Sequence, residues 1–442
     1  MTLKKTARHI LDRIPLPTQR ALWVAALGIP AAMLWGWSGM LLLDVALLLL
    51  CFWDYLSFTR KESITCRRRF PAHFLQGIKQ KVEIVVENPG SREVRVLVRD
   101  EPPLEWEGAP ILEGVVPAGS TLVLHYFVRP EERGMFRFGD LHLRERGPLG
   151  WILRISSRKA DEIIKVYPRF QPLRYTDFSA FRRMNQGLRR ARWRGEGREF
   201  EALREYREGD DLKRIHWKAT ARLDRPIVQE YEPEANQIVM ALVDTGRLMG
   251  AVSGGKTKLD HALEAVVHLA HAAVSGGDRA GMLAFSDRVV SFVPPGGNPP
   301  QVRSILEATL SIRASMVEPR YEEAFLWMRS RVRRRSLVVV FTDLLDETAS
   351  ENLLEAVSLL RPRHLPLCVT IRDSAWDQVL GRKPGNAREV YEQAVLWESL
   401  RQRRKAMGLL AQKGALVLDL PPERLSTETM ERYLEVKRRG LI

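Results

Sequence analysis

The sequence predicts a membrane hairpin followed by a β-sandwich and a doubly wound α/β domain. Three observations lead there. Residues 21–53, "ALWVAALGIPAAMLWGWSGMLLLDVALLLLCFW", are apolar except for Asp44. From about 62 to 170 short segments alternate apolar and polar residues with period two, the pattern of half-buried antiparallel strands. After residue 236, continuous Val/Ile/Leu runs alternate with helical segments, the pattern of a mostly parallel sheet covered on both faces.

The 442 residues suffice for two or three domains, and 45% hydrophobic and 28% charged residues are ordinary for globular protein. The formal net charge of +15 is not, and it points to anionic partners: nucleic acid, an acidic membrane surface or an acidic protein. Cys51, Cys66 and Cys368 lie far apart with no CxxC pair. That excludes a disulfide framework and a cysteine zinc site, and suits a reducing compartment.

As one helix the apolar run would extend roughly 50 Å, against a hydrocarbon core of roughly 30 Å. "GWSG" at its middle offers a turn, so two short helices are expected within residues 1–60. Lys4, Lys5, Arg8, Arg13 and Arg20 precede the run, and Arg60, Lys61 and Arg67 to Arg69 follow it. Positive charge marks the cytoplasmic side and here marks both ends, so the N-terminus and everything after residue 60 are assigned to the cytoplasm. The flanks also suit anionic lipid. Asp44 sits near the expected turn, where a carboxylate reaches water.

Residues 61–170 carry "KVEIVVEN", "EVRVLVRD", "TLVLHYFVRP", "FRFGDLHLRER" and "EIIKVYP", separated by turn clusters such as "NPGS" and "PAGS". This is a sandwich signature. It gathers no catalytic residue types, so a spacer or interaction module is expected. Residues 171–235 form a connector whose basic part, "RRMNQGLRRARWR", holds Arg182, Arg183, Arg189, Arg190, Arg192 and Arg194. A solvated linker is the commoner explanation of such a run. As a binding segment next to a membrane-anchored chain, it suits lipid or an acidic protein better than nucleic acid, whose binding by charge alone would show steep salt dependence.

Residues 236–442 carry the strands "IVMALVD", "AGMLAFSD", "SLVVVFTD", "LCVTIRD" and "ALVLDL". Each ends at or near an aspartate: Asp244, Asp287, Asp343, Asp373 and Asp419. Ligands of such sheets bind outside the carboxyl ends of the strands. Asp287, Asp373 and Asp419 are read as turn and helix caps, whereas Asp244 and Asp343 stand as a candidate cation pair.

"GAVSGGKT" fits G-x-x-x-x-G-K-[ST] and offers Gly250, Gly255, Lys256 and Thr257 to a nucleotide. A P-loop starts where its strand ends, but "TGRLM" separates Gly250 from Asp244, and Asp343 lacks an acidic neighbour. The loop reading is preferred, with an ATPase as an alternative.

The stretch "GEGREFEALREYREGDDLKRIHWKATARLDRPIVQEYEPE" (195–234) resembles the signature of the bacterial domain-of-unknown-function family 58. The matching positions are Arg204, Glu205, Tyr206, Gly209, Asp210, Ile215 and Trp217. The resemblance implies that residues 236–442 are a von Willebrand factor A-like domain. It further implies a membrane-anchored protein acting as adaptor to a MoxR-type AAA+ ATPase. Domains of that kind hold Mg²⁺ through D-x-S-x-S, a later threonine and a second aspartate. Here Gly246 and Leu248 stand for the serines and "SMVEPRYEEA" supplies no threonine, so no cofactor is expected and Mg²⁺ binding through Asp244 and Asp343 is the alternative. On residue chemistry alone the signature has no plausible nucleophile. Arg204, Glu205, Asp210, Asp211 and Arg214 are expected in a charged network and Trp217 in packing. The expected function is a non-enzymatic membrane adaptor.

Overall fold

The computed structural model describes residues 16–58, 64–103, 105–106, 110–147, 149–168, 199–206, 215–232, 236–344 and 347–442. The chain forms two compact units, Met1–Arg169 and Phe170–Ile442. The anchor and the sandwich fall together in the first unit, and the connector and the α/β region in the second.

The first unit starts with strand β1 (Leu16–Pro17) and helices α1 (Gln19–Ala26) and α2 (Gly28–Phe58). Within α2 the helix breaks at Gly36, with φ 67° and ψ −171°, a backbone that residues with a Cβ rarely adopt. Beyond the break the chain doubles back. A Cβ on Gly28 would lie 3.5 Å from Met40 Cγ and 3.7 Å from Asp44 Oδ1. The stretch Ala32–Leu56, which includes the break, is long and apolar enough to cross a membrane. Its surface is exposed apolar side chain, with Trp35 and Trp37 at the break.

Both ends of this helical segment return to one short stretch of the sandwich. Thr18 donates its N–H to Trp151 O (2.8 Å) and its hydroxyl to Gly150 O (2.8 Å), and Leu16 and Pro17 pair with Leu153 and Ile152. From the other end, Asp54 is buried and accepts the N–H groups of Leu149 (3.1 Å), Trp151 (2.9 Å) and Ile152 (3.1 Å).

The rest of the unit is β-structure: β2 (Thr65–Arg69), β3 (Phe74–Leu75), β4 (Gln80–Glu87), β5 (Val94–Asp100), β6 (Leu112–Val116), β7 (Thr121–Val128), β8 (Gly134–Phe138), β9 (Leu141–Arg146), β10 (Ile152–Arg158) and β11 (Glu162–Tyr167). One sheet runs β1-β10-β9-β5-β6 and the others β2-β4-β7 and β3-β11-β8. Alternate residues of β4 (Val82, Ile84, Val86) and of β5 and β9 (Val96, Val98, Leu141, Leu143) share one core with Trp106 and Phe138, as period-two alternation dictates. Inside it Arg68 and Tyr126 both bond Asp100, the tyrosine at 2.6 Å, and the guanidinium lies 4.5 Å from the Phe138 ring centre. The buried charge is thereby paired and hydrogen-bonded.

The second unit opens with β12 (Glu199–Glu205), helix α3 (Trp217–Leu223) and β13 (Ile227–Glu232), the two strands being antiparallel. Then follow β14 (Ile238–Asp244), the two-residue strands β15 (Val252–Ser253) and β16 (Lys256–Thr257), α4 (Lys258–Ser275), β17 (Arg279–Phe285), β18 (Val289–Gly296), α5 (Pro300–Thr309) and α6 (Tyr321–Arg331). The chain continues through β19 (Ser336–Thr342), α7 (Glu347–Leu360), β20 (Leu365–Ile371), α8 (Ser374–Leu380), α9 (Ala387–Gln412), β21 (Leu416–Leu420) and α10 (Leu425–Arg438).

The six-stranded sheet has the order β18-β17-β14-β19-β20-β21, parallel except for the edge strand β18. Successive β14 residues serve opposite faces. Val239, Ala241 and Val243 pack with Leu263 and Val266 of α4, Ile305 of α5 and Tyr433 of α10. Ile238, Met240 and Leu242 pack with Phe325 of α6, Val357 of α7 and Leu410 of α9. The sheet is doubly covered, which is why its strands are apolar on both faces. Strand order reverses between β14 and β19, so their carboxyl ends flank the topological switch point.

Candidate functional site

Asp244 ends β14 and Asp343 follows β19, which puts both carboxylates at the switch point. Asp244 is buried and fully engaged. Its Oδ1 accepts from Gly246 N (2.7 Å), and its Oδ2 accepts from the Tyr321 hydroxyl (3.0 Å) and the Thr342 hydroxyl (2.7 Å). Burial pushes its carboxyl above the usual range, opposed by those three hydrogen bonds and reinforced by the nearby Asp343 charge. Burial and the Asp244 charge likewise hold the Tyr321 phenol far above its ordinary value, so it acts as a donor.

Asp343 is held by two cations. Lys258 Nζ lies 2.5 Å from Oδ2, and Arg403 Nη1 lies 2.6 Å from Oδ1, which also accepts from Leu344 N at 2.8 Å. Arg403, on α9, is 1% exposed and also bonds Leu344 O and the Asp419 carboxylate (2.9 Å). Burial disfavours its charge, but Asp343 and Asp419 outweigh burial and hold the guanidinium above its ordinary value. Asp419 lies inside β21 and takes a further bond from Thr370 (2.8 Å). The turn-cap role expected for Asp419 is therefore corrected: it is the outer carboxylate of a buried ion-pair chain. Asp373 does cap α8 through Ala375 N, and accepts Ser253 Oγ at 3.0 Å.

This donor set does not fit a divalent cation. Both oxygens of Asp343 face cationic side chains, and Asp244 is committed to three protein donors. The position of the first serine of the metal-binding pattern has no space for one. A Cβ on Gly246 would come within 2.9 Å of Val317 O and 3.0 Å of Pro319 Cδ. The segment carrying Ser315 and Val317 closes over this turn, with Ser315 N on Thr245 O (2.8 Å) and Arg247 N on Val317 O (3.0 Å).

Residues 252–257 fold as a small hairpin. Val252 pairs with Thr257 and Ser253 with Lys256, and Gly254 and Gly255 have φ of 61° and 80°. Two such residues make the turn that joins strands of natural twist. Gly250 belongs to the preceding 3₁₀ turn, Lys256 pairs with Glu264 (3.0 Å), and Thr257 caps α4 in a reciprocal box with Asp260. The cap satisfies helix amides that a phosphate would need. Sequence reading singled out Lys256 and missed Lys258, the first residue of α4 and the one aimed at Asp343. Beside the crest an open cleft of about 590 Å³ is lined by Glu318, Arg320, Tyr321, Glu322, Glu323 and Glu355.

The described signature residues are built into β12, α3 and β13. Arg204 and Glu205 end β12, where Glu205 pairs with Arg225. Tyr206 N donates to Pro226 O (2.9 Å), and Ile215 bridges Val228. His216 caps α3, its Nδ1 accepting from Ala219 N at 3.0 Å. Gly209, Asp210, Asp211, Arg214 and the basic run 182–194 fall outside the described residues. Trp217 is 70% exposed, which corrects the expectation that it packs. As the first residue of a short helix it projects outward.

The profile of the family described as "Protein of unknown function DUF58" matches residues 202–383, from β12 through α8. That span takes in Asp244, Lys258, Tyr321, Thr342 and Asp343 but ends before Arg403 and Asp419. Uncharacterized proteins of Mycobacterium tuberculosis and Mycobacterium bovis are 25% identical over 181 residues, 40% of this chain and 56% of theirs. The chain thus spans about half the length of the curated relatives it matches. Among solved structures, the CARDB domain of a Pyrococcus furiosus protein aligns with 24% of this chain and 88% of its own, at 14% identity and a TM-score of 0.17. The ASH/PapD-like domain of human CEP192 aligns with 23% of this chain and 84% of its own, at 12% identity and TM-score 0.19. Scores this low establish no shared fold.

Proposed function

We propose that this chain is a membrane-anchored adaptor whose α/β unit, of the von Willebrand factor A-like kind, presents its carboxyl edge to a protein partner. The observation that carries the reading is the internally satisfied crest. At the switch point, where open sheets of this order hold ligands, Lys258, Arg403, Tyr321 and Thr342 already satisfy both carboxylates. A crest completed from within offers shape and charge to another protein without needing an ion. The resemblance of the signature makes a MoxR-type AAA+ ATPase the partner to test.

The anchor is a two-helix hairpin. Its break at Gly36 and the return of both ends to residues 149–153 support two passes with both ends on one side. Basic residues at both flanks support the cytoplasmic side. The sandwich, tied to the anchor by Asp54, serves as spacer.

Calorimetric titration of MgATP into the full chain, wild type beside Lys256→Ala, tests the reading against an ATPase. The adaptor gives no saturable heat in either protein. Saturable binding that disappears in Lys256→Ala would overturn it.

A further inference from the structure

Six exposed arginines meet at the amino-terminal edge of the six-stranded sheet. Arg331 ends α6, Arg333, Arg334 and Arg335 lead into β19, and Arg361 and Arg363 lead into β20. β19 and β20 are parallel neighbours, with Leu337 opposite Leu365, so these segments enter the sheet side by side. Among the described residues no carboxylate lies within ion-pair distance of any of the six. Arg331, Arg335 and Arg361 bond Ser330 Oγ, Leu441 O and Lys413 O, whereas among the described residues Arg333, Arg334 and Arg363 have no side-chain hydrogen bond. Two of them, Arg363 and Arg335, act on His364, which is 2% exposed and bonded to Ser336 Oγ at 2.7 Å. Its imidazole is pushed down to about 4 by burial and then by Arg363, Arg329 and Arg335.

A purely local explanation covers part of this set. Helices α6 and α7 end at this edge, and a cation near each C-terminus is favourable. Arg331 and Arg361 meet that need, and four remain. Like charges gathered without counter-charges repel one another, and a plane of phosphates relieves that repulsion. Single-stranded nucleic acid is the weaker match. Its binding surfaces add aromatic faces for base stacking, but the Trp327 ring here is covered by the Arg331 guanidinium at 3.5 Å and the Phe292 ring at 4.8 Å.

We propose that this arginine edge docks on an anionic phospholipid surface. It lies at the opposite end of the strands from Asp244 and Asp343, so a domain resting on it turns its crest away from the bilayer. The proposal rests on the membrane-anchored reading, which brings such a surface within reach.

The test places the full chain in nanodiscs of phosphatidylcholine and titrates them with vesicles, either phosphatidylcholine alone or one-third phosphatidylglycerol. Wild type binds only the anionic vesicles, and high salt reverses binding. Substituting Arg333→Gln, Arg334→Gln and Arg363→Gln together spares every hydrogen bond at the edge. It lowers partitioning roughly a hundredfold, from about fivefold per arginine. The same three positions changed to lysine stay within a few-fold of wild type. Undiminished binding by the glutamine variant overturns the proposal, because the attraction then lies in other basic segments. Binding of duplex DNA that depends on the three arginines, with anionic vesicles ignored, overturns it in favour of nucleic acid. A chain that fails to enter nanodiscs contradicts the anchored reading alone, and the same vesicle titration with the chain free in buffer then decides the edge.

Discussion

Asp343 is the residue on which the crest turns. Removing one partner of a buried pair leaves the other charge uncompensated, which typically costs about 3–5 kcal/mol. Asp343→Ala strands Lys258 and weakens the hold on Arg403, so stability is expected to fall by that order, read as lost amide-exchange protection in β14 and β19. The joint change Lys258→Met with Asp343→Leu is expected to cost less than Asp343→Ala alone, since it removes both charges. His364 sets a pH dependence of definite sign. Its folded value of about 4 lies below the roughly 6.5 of an unfolded histidine, so the unfolded chain binds the extra proton. Stability is full above pH ~6.5 and falls as pH drops toward 4, by about 3 kcal/mol at most. Urea denaturation at pH 7 and pH 5 is expected to show the loss in wild type and less of it in His364→Asn. Asp244 and Asp343 were legible from the sequence because each closes an apolar strand. Lys258, Arg403 and Tyr321 were not: nothing local tells a buried lysine or arginine from the many exposed ones, and the partners lie 85, 60 and 77 residues away.

At the scale of elements, the sequence displays what has a period and hides what depends on a single bond. The alternation in β4, β5 and β9 and the continuous apolar runs of β14, β19 and β20 were visible as patterns. "GAVSGGKT" matched a phosphate-binding pattern by letters, yet its two positive-φ glycines make a hairpin whose threonine is spent on a helix cap. The latch between Asp54 and residues 149–152 left no trace, because its donors are backbone amides with no identity in sequence. Asp54→Asn puts a donor where three N–H groups point. The amides of Leu149, Trp151 and Ile152 are expected to exchange at least tenfold faster, about 1.4 kcal/mol of local stability, in hydrogen-exchange mass spectrometry.

Across the whole molecule, a net charge of +15 suits anionic partners without saying where they bind. Within the second unit that charge is distributed with direction. Arginines gather where β19 and β20 begin, and carboxylates where the strands end. The adaptor account turns on that carboxyl edge being a protein-binding surface that owes nothing to a metal ion. The most direct measurement is calorimetry of the full chain in nanodiscs against a MoxR-type AAA+ ATPase, with Mg²⁺ and again with EDTA. The account expects saturable binding of equal affinity in both buffers, weakened by Glu322→Lys with Glu323→Lys in the cleft beside the crest. Absence of binding, or binding abolished by EDTA and restored by Mg²⁺ alone, contradicts it.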